Sequence, residues 1–166
     1  VNGPNAMTGQ IDLCLLDPLS EPPVFVNFYG NSQGRMEANA HLAQKTGANS
    51  GNLLLLHGNL FEQDMDQNSD GFMDAPRTRR FNVMDRWMRR TDRGMSQIGV
   101  RYVIDERTGG QTAMSLSDPG HAHHVGDPYK VDIRNEMVDV FGKQGIIFKN
   151  DPSKSVGIMF AARRHQ

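Results

Sequence analysis

Residues 66–74 read DQNSDGFMD, and their oxygen ligands fall on alternate positions: Asp66, Asn68, Asp70, Phe72 through its carbonyl, and Asp74. A tight loop wraps a hard cation with this spacing. It fills positions 1, 3, 5, 7 and 9 of an EF-hand-type loop, and Gly71 takes position 6, where the chain must turn sharply. Without a cation, carboxylates about 4 Å apart repel by about 4 kcal/mol per pair at an effective dielectric of 20, and a bound Ca²⁺ reverses that sign. Position 12 is Arg77 rather than the bidentate glutamate of an EF-hand, and the flanks alternate as strands do. The pattern predicts a calcium-pinned hairpin loop, with Asp64 as an auxiliary ligand. The plainer reading is a solvated acidic turn whose Asp and Asn side chains bond their own backbone.

Other residue clusters point less far. GHAHHVGDP holds His121, His123 and His124, and two imidazoles at i and i+2 can reach one Zn²⁺ or Cu²⁺ with Asp127 as a third ligand, but no cysteine and no HExxH accompanies them. A polar loop whose histidines touch cargo or nothing accounts for them, with a zinc hydrolase as a distant rival. Arg79, Arg80, Arg86, Arg89 and Arg90 alternate with Asp85 and Asp92 in a nearly neutral chain, which suits lumen and rim charges better than a nucleic-acid patch. Asp105 and Glu106 beside Arg107 read as an ion pair at a strand end. There is no Ser-His-Asp order, no phosphate-cradling GxxxxGK and no GxSxG elbow, so the sequence supports neither catalysis nor an organic cofactor. Cys14 stands alone in the alternating IDLCL and reads as a packed thiol.

The elements that must carry these residues read as strands. Apolar residues recur at every second place in VFVNFYG, in RMEANAHLAQK and in MSQIGVRYVIDE, between clusters of Gly, Asn, Asp, Ser and Pro. NLLLLHGNLF is apolar on both faces at its start. RRFNVMDRWMRR fits both a strand and a helical stripe, and its neighbours favour the strand. YKVDIRNEMVDVFGKQGIIF and, after a turn at KNDPSKS, SVGIMFAA complete about seven strands. From GANSG onward the connections alternate short and long, which an up-and-down sheet converts into tight turns at one end and long loops at the other. The expected fold is all-β: an antiparallel up-and-down meander, part of a transmembrane β-barrel. The net charge of -1 gathers neither nucleic acid nor anionic lipid. A mean hydropathy of -0.55 fits a soluble domain or a membrane barrel equally. The opening VNGP and the ending AARRHQ predict a piece of a longer chain.

The segment GPNAMTGQIDL, with Gly3, Ala6, Gly9, Ile11 and Leu13, resembles the end of the plug domain of TonB-dependent outer-membrane receptors. The following VNFYGNSQGRMEANAHLAQKTGANSGNLLLLHG, DQNSDGFMDAP, FNVMDRW, MSQIGVRYVIDERTGGQ and GKQGIIF resemble the first barrel strands of such receptors, particularly those of Bacteroidetes-like bacteria. The resemblance implies that residues 1–17 end the plug and 18–166 begin the barrel, which lies in the outer membrane among its lipids. It further implies import of a small-molecule metal chelate, siderophore–iron or cobalamin-like, driven through TonB as partner. Some cobalamin receptors resembling this family carry calcium in an early outer loop with a similar acidic DGF pattern. The alternative is a soluble calcium-binding β-domain for adhesion or carbohydrate recognition.

Overall fold

The computed structural model describes residues 15–112 and 129–166. The alternating stretches all become strands: β1 (Val24–Gly30), β2 (Met36–Gly47), β3 (Ser50–Phe61), β4 (Arg77–Thr91), β5 (Gly94–Gly110), β6 (Lys130–Phe148) and β7 (Asp151–His165). They form one antiparallel sheet in sequence order, and β1 does not pair with β7, so the sheet is open. The ambiguous RRFNVMDRWMRR is strand β4, because both neighbouring strands offer it a full ladder.

Three connections are two residues long, at 48–49, 92–93 and 149–150, and lie at one end. The loop 62–76 lies at the other end with the short turn 31–35, where Gly34 takes a left-handed φ of 81°, and β5 ends and β6 begins at that end as well. Two boundaries differ from the sequence expectation. The KNDPSKS turn contracts because β7 begins at Asp151, and Pro152 is tolerated because an edge strand needs no donor on its open side. The connection after Glu106 is shorter than its polar composition suggests, since Arg107, Thr108, Gly109 and Gly110 still pair across β6.

The register assigns every side chain to one of two faces. One row across the ladder reads Val24, Leu42, Leu54, Asp85, Val100, Val140 and Ala162. The parallel rows on this face hold Phe28, Phe81, Ile104, Val83, Tyr102 and Val138, of which Phe28, Phe81 and Val138 are exposed and the others half-buried. The other face carries nearly all the buried polar groups of the described residues and holds Asn39, His41, His57, Arg80, Asn82, Arg86, Arg101, Asp105, Asp139 and Arg163, interspersed with Phe25, Leu55, Met84, Phe141 and Met159. A cavity of about 780 Å³ on this polar face is lined by Phe25 of β1, by Ala161 and Arg163 of β7, and by residues of every strand between. A flat sheet would hold β1 and β7 about 29 Å apart, six steps of about 4.8 Å. The sheet therefore curls, with its polar face concave and its apolar face convex.

Two phenylalanine rings fill positions left open by glycine. Phe141 lies over Gly99 on the concave face, and Phe160 over Gly142 on the convex face. A Cβ on Gly142 would stand 2.6 Å from the Phe160 ring and 2.9 Å from the Gln97 carbonyl oxygen, which belongs to the ladder and cannot yield. Gly142→Val is expected to lower stability by about 1–3 kcal/mol in a chemical denaturation, the cost of overpacking. An unchanged midpoint would refute the packing of Phe160 on the backbone.

Candidate functional site

The acidic loop is an extension of the β3–β4 hairpin. Ion pairs continue the ladder beyond Phe61: Arg79 holds Glu62 through Nε at 2.5 Å and Nη2 at 3.0 Å, and Arg77 holds Asp64 at 2.5 and 2.6 Å. Met65 then bridges Ala75, with the Asp74 amide donating to the Met65 carbonyl at 2.7 Å. The tip docks on the end of β5 through a bridge between Phe72 and Gln111, where Met73 N–H donates to the Gly110 carbonyl and Thr112 N–H to that of Gly71, each at 2.8 Å.

Inside this frame the predicted ligands fall into two groups. Asp66, Asn68 and Asp70 converge: both Asp66 oxygens accept backbone N–H groups, from Asp70 at 3.2 Å and Gly71 at 2.9 Å. Asp70 accepts from the Phe72 amide at 2.8 Å and from Asn68 Nδ2 at 3.0 Å. Ser69 and Gly71 adopt left-handed φ values of 58° and 83°, which turns the chain tightly enough for this. Asp74 instead caps the Gln67 amide at 2.7 Å. Among the described residues no three His, Cys, Asp or Glu side chains stand together as a metal-holding group. Asp64, expected as an auxiliary ligand, is occupied by Arg77, which explains why a cation stands where an EF-hand has glutamate. His121, His123, His124, Asp127 and Cys14 lie outside the described residues.

The concave face carries a denser polar network. Asp139 bridges Arg101 and Arg163, the latter through Nε at 2.5 Å. Asp105 receives Arg80 at 2.8 Å and Arg107 at 2.9 Å. His57 shares a hydrogen bond of 2.7 Å with Asn39, and Asn59 donates to Glu37 at 2.8 Å. The ion pair expected beside Arg107 forms with Asp105, and Glu106 takes no part in it. In a strand these neighbours point to opposite faces, and Glu106 pairs with Arg134 on the convex side at 2.8 Å.

Residues 15–23 cross this concave face as a strap, which the sequence did not announce. Pro18 is fully buried against Gly51, where a Cβ would stand 3.0 Å from its ring. Asp17 pairs with Arg90 at 3.0 Å, His41 Nε2 lies 3.1 Å from the Pro22 carbonyl, and Ala43 N–H donates to that of Pro23 at 2.8 Å. Buried Leu53 and Met88 lie on the same face at this end, Met88 directly opposite Gly51, while Arg86 is buried with no acceptor for its Nε or Nη2 among the described residues.

No family model, curated protein or solved structure matches this chain.

The base of the acidic loop is pH-sensitive in a definite direction. Hydrogen bonds from Arg77 hold the Asp64 carboxyl below its ordinary range, and those from Arg79 do the same for Glu62. Groups lowered by folding stabilise above their ordinary pKa, and that contribution disappears as the pH falls through the folded value. Protection of the Asp74 amide against hydrogen exchange is therefore expected to fall about two- to five-fold on acidification from neutrality to below the carboxylate range, a size set by exposed ion pairs. Constant protection, after correction for intrinsic exchange, would uncouple the ion pairs from the loop.

Proposed function

We propose that this chain is a segment of a TonB-dependent outer-membrane receptor, in which residues 1–17 end the plug and 18–166 are the first strands of the barrel. It binds and imports a metal chelate, siderophore–iron or cobalamin-like, with energy delivered through TonB and no bond made or broken by its own residues. One observation carries this reading: the way the convex apolar belt slides along the ladder.

On β2 and β3 the belt runs from Met36 and Leu60 at the loop side to Leu42 and Leu54 at the turn side. The row containing Leu42 and Leu54 reaches Ala162 on β7, but there it is the loop-side margin, and the belt continues through Phe160 and Ile158 to Val156. The belt has moved six residues over five strand-to-strand steps, or about 1.2 residues per strand. At a rise of about 3.3 Å per residue and a spacing of about 4.8 Å, that drift corresponds to strands inclined about 40° to the belt. Strands of membrane barrels tilt by about 35–45°, because an apolar band of constant height can cross inclined strands only with such an offset. Charges take over where the belt ends: Arg79, Glu106, Arg134 and Asp132 lie beyond it on the loop side. The open edges at β1 and β7 fit strands still to be added, since an unclosed sheet leaves backbone groups unpaired in lipid. The strap fits a plug entering the lumen from the turn side.

Calcium belongs to the same reading, as a staple for the outward loop. Asp66, Asn68 and Asp70 with the Phe72 carbonyl would hold it, and Asp74 would join through water. To do so the Asn68 oxygen, which accepts from the Asp70 amide at 3.3 Å, and the Asp70 carboxylate, which accepts from Asn68 Nδ2, must exchange those bonds for the ion. Calorimetric titration with Ca²⁺ is expected to give binding heat in the wild-type chain and none in Asp70→Ala. Equal heats in the two would remove the site.

The barrel itself is tested by orientation. Polarised infrared spectroscopy of the chain reconstituted in stacked phosphatidylcholine bilayers is expected to report strands about 40° from the membrane normal. Strands lying in the membrane plane, or a chain that does not partition, would overturn the receptor reading.

A further inference from the structure

One carboxylate interrupts the convex belt. Asp85 stands in a row whose other members are Val24, Leu42, Leu54, Val100, Val140 and Ala162. Its two oxygens accept from Asn52 Nδ2 at 2.5 Å and from Trp87 Nε1 at 3.1 Å. Both donors are neutral, and Asp85 enters no ion pair among the described residues. Its lone pairs are thus partly satisfied while its charge is not.

A carboxylate facing hydrocarbon is costly, and here the missing component is a cation. Trp87 follows on the same face, 50% exposed, beside the carboxylate. An acid next to an accessible indole attracts an ammonium twice over, by charge and through the ring's negative face. Arg89 is the next residue on this face toward the tight turns, and it too enters no ion pair among the described residues. Four residues of strand separate Asp85 from Arg89 by about 13 Å, and the long arginine side chain shortens that to the size of a lipid headgroup. The pattern is anion, aromatic, cation, read from the belt toward water.

We propose that Asp85, Trp87 and Arg89 form a headgroup site for a phospholipid with a primary ammonium, its amine on Asp85 and Trp87 and its phosphate on Arg89. The site rests on the membrane reading and lies at the turn-side margin of the belt.

Trp87 is the only tryptophan of the chain, so its fluorescence reports this site alone. The chain is refolded into phosphatidylcholine vesicles carrying brominated acyl chains, and unbrominated phosphatidylethanolamine, phosphatidylglycerol or phosphatidylcholine is added in steps. Bromine is expected to quench Trp87, and phosphatidylethanolamine to relieve the quenching at about five-fold lower mole fraction than either other lipid, the size of one partly exposed ionic contact. Asp85→Asn is expected to equalise the three lipids, and Asp85→Glu to retain the preference. Quenching relieved equally by all three lipids in the wild-type chain would overturn the headgroup site and leave the membrane reading standing. A preference surviving in Asp85→Asn would do the same. Absence of quenching would overturn both.

Discussion

Pairing register governs this molecule. In an antiparallel ladder each residue is committed to one face, and a slip by one place would carry every valine and leucine of that strand to the opposite side. Here the register sets His57 beside Asn39 and Asp139 beside Arg101 while sending Val100 and Val140 the other way. A buried carboxylate is costly to leave unpaired, so an alignment that parted Asp139 from its arginines would be disfavoured. The Asp139 bridge to both Arg101 and Arg163 locks β5, β6 and β7 in this way.

A single open sheet has little interior of its own. Leu53, Phe61 and Met88 are the buried apolar side chains of the described core, and Leu53 and Met88 lie at the end of the concave face that the strap crosses. The convex side exposes Val26, Phe28, Trp87, Ile98, Ile158 and Phe160, an apolar surface of the kind that marks an interaction site. The hydrophobic effect thus acts mainly between this surface and its surroundings. Hydrogen bonding, by contrast, is largely satisfied within the sheet except along its two outer strands.

Much of this architecture was readable from the residues, for identifiable reasons. Period-two alternation survives in single sequences, so Ile98, Val100, Tyr102 and Ile104 assign β5 unaided. Turn chemistry at Ala48-Asn49 and Asp92-Arg93 located the hairpins. Boundaries were less legible: Gly109 and Gly110 look like loop residues, and only a partner strand keeps them in the ladder. The acidic loop was recognisable by spacing, whereas the capture of Asp64 by Arg77 depends on the geometry of the hairpin stem. Nothing local announced the strap, since the fit of Pro18 against Gly51 is a contact between segments that share no periodicity. Its single hint was the Pro-Pro pair at 22–23, which marks a change of direction without saying where the preceding residues lie.

The glycines beneath Phe141 and Phe160 carry a consequence for how such a sheet changes over evolutionary time. At each place a ring lies over one bare backbone position, but only at 99 does the ring alone set the limit. A large residue at 99 would be acceptable if 141 became small, whereas at 142 the Gln97 carbonyl would still stand in the way. Substitutions at 99 and 141 should therefore travel in compensating couples across adjacent staves, and intermediates with two bulky members, or none, should be rarely inherited.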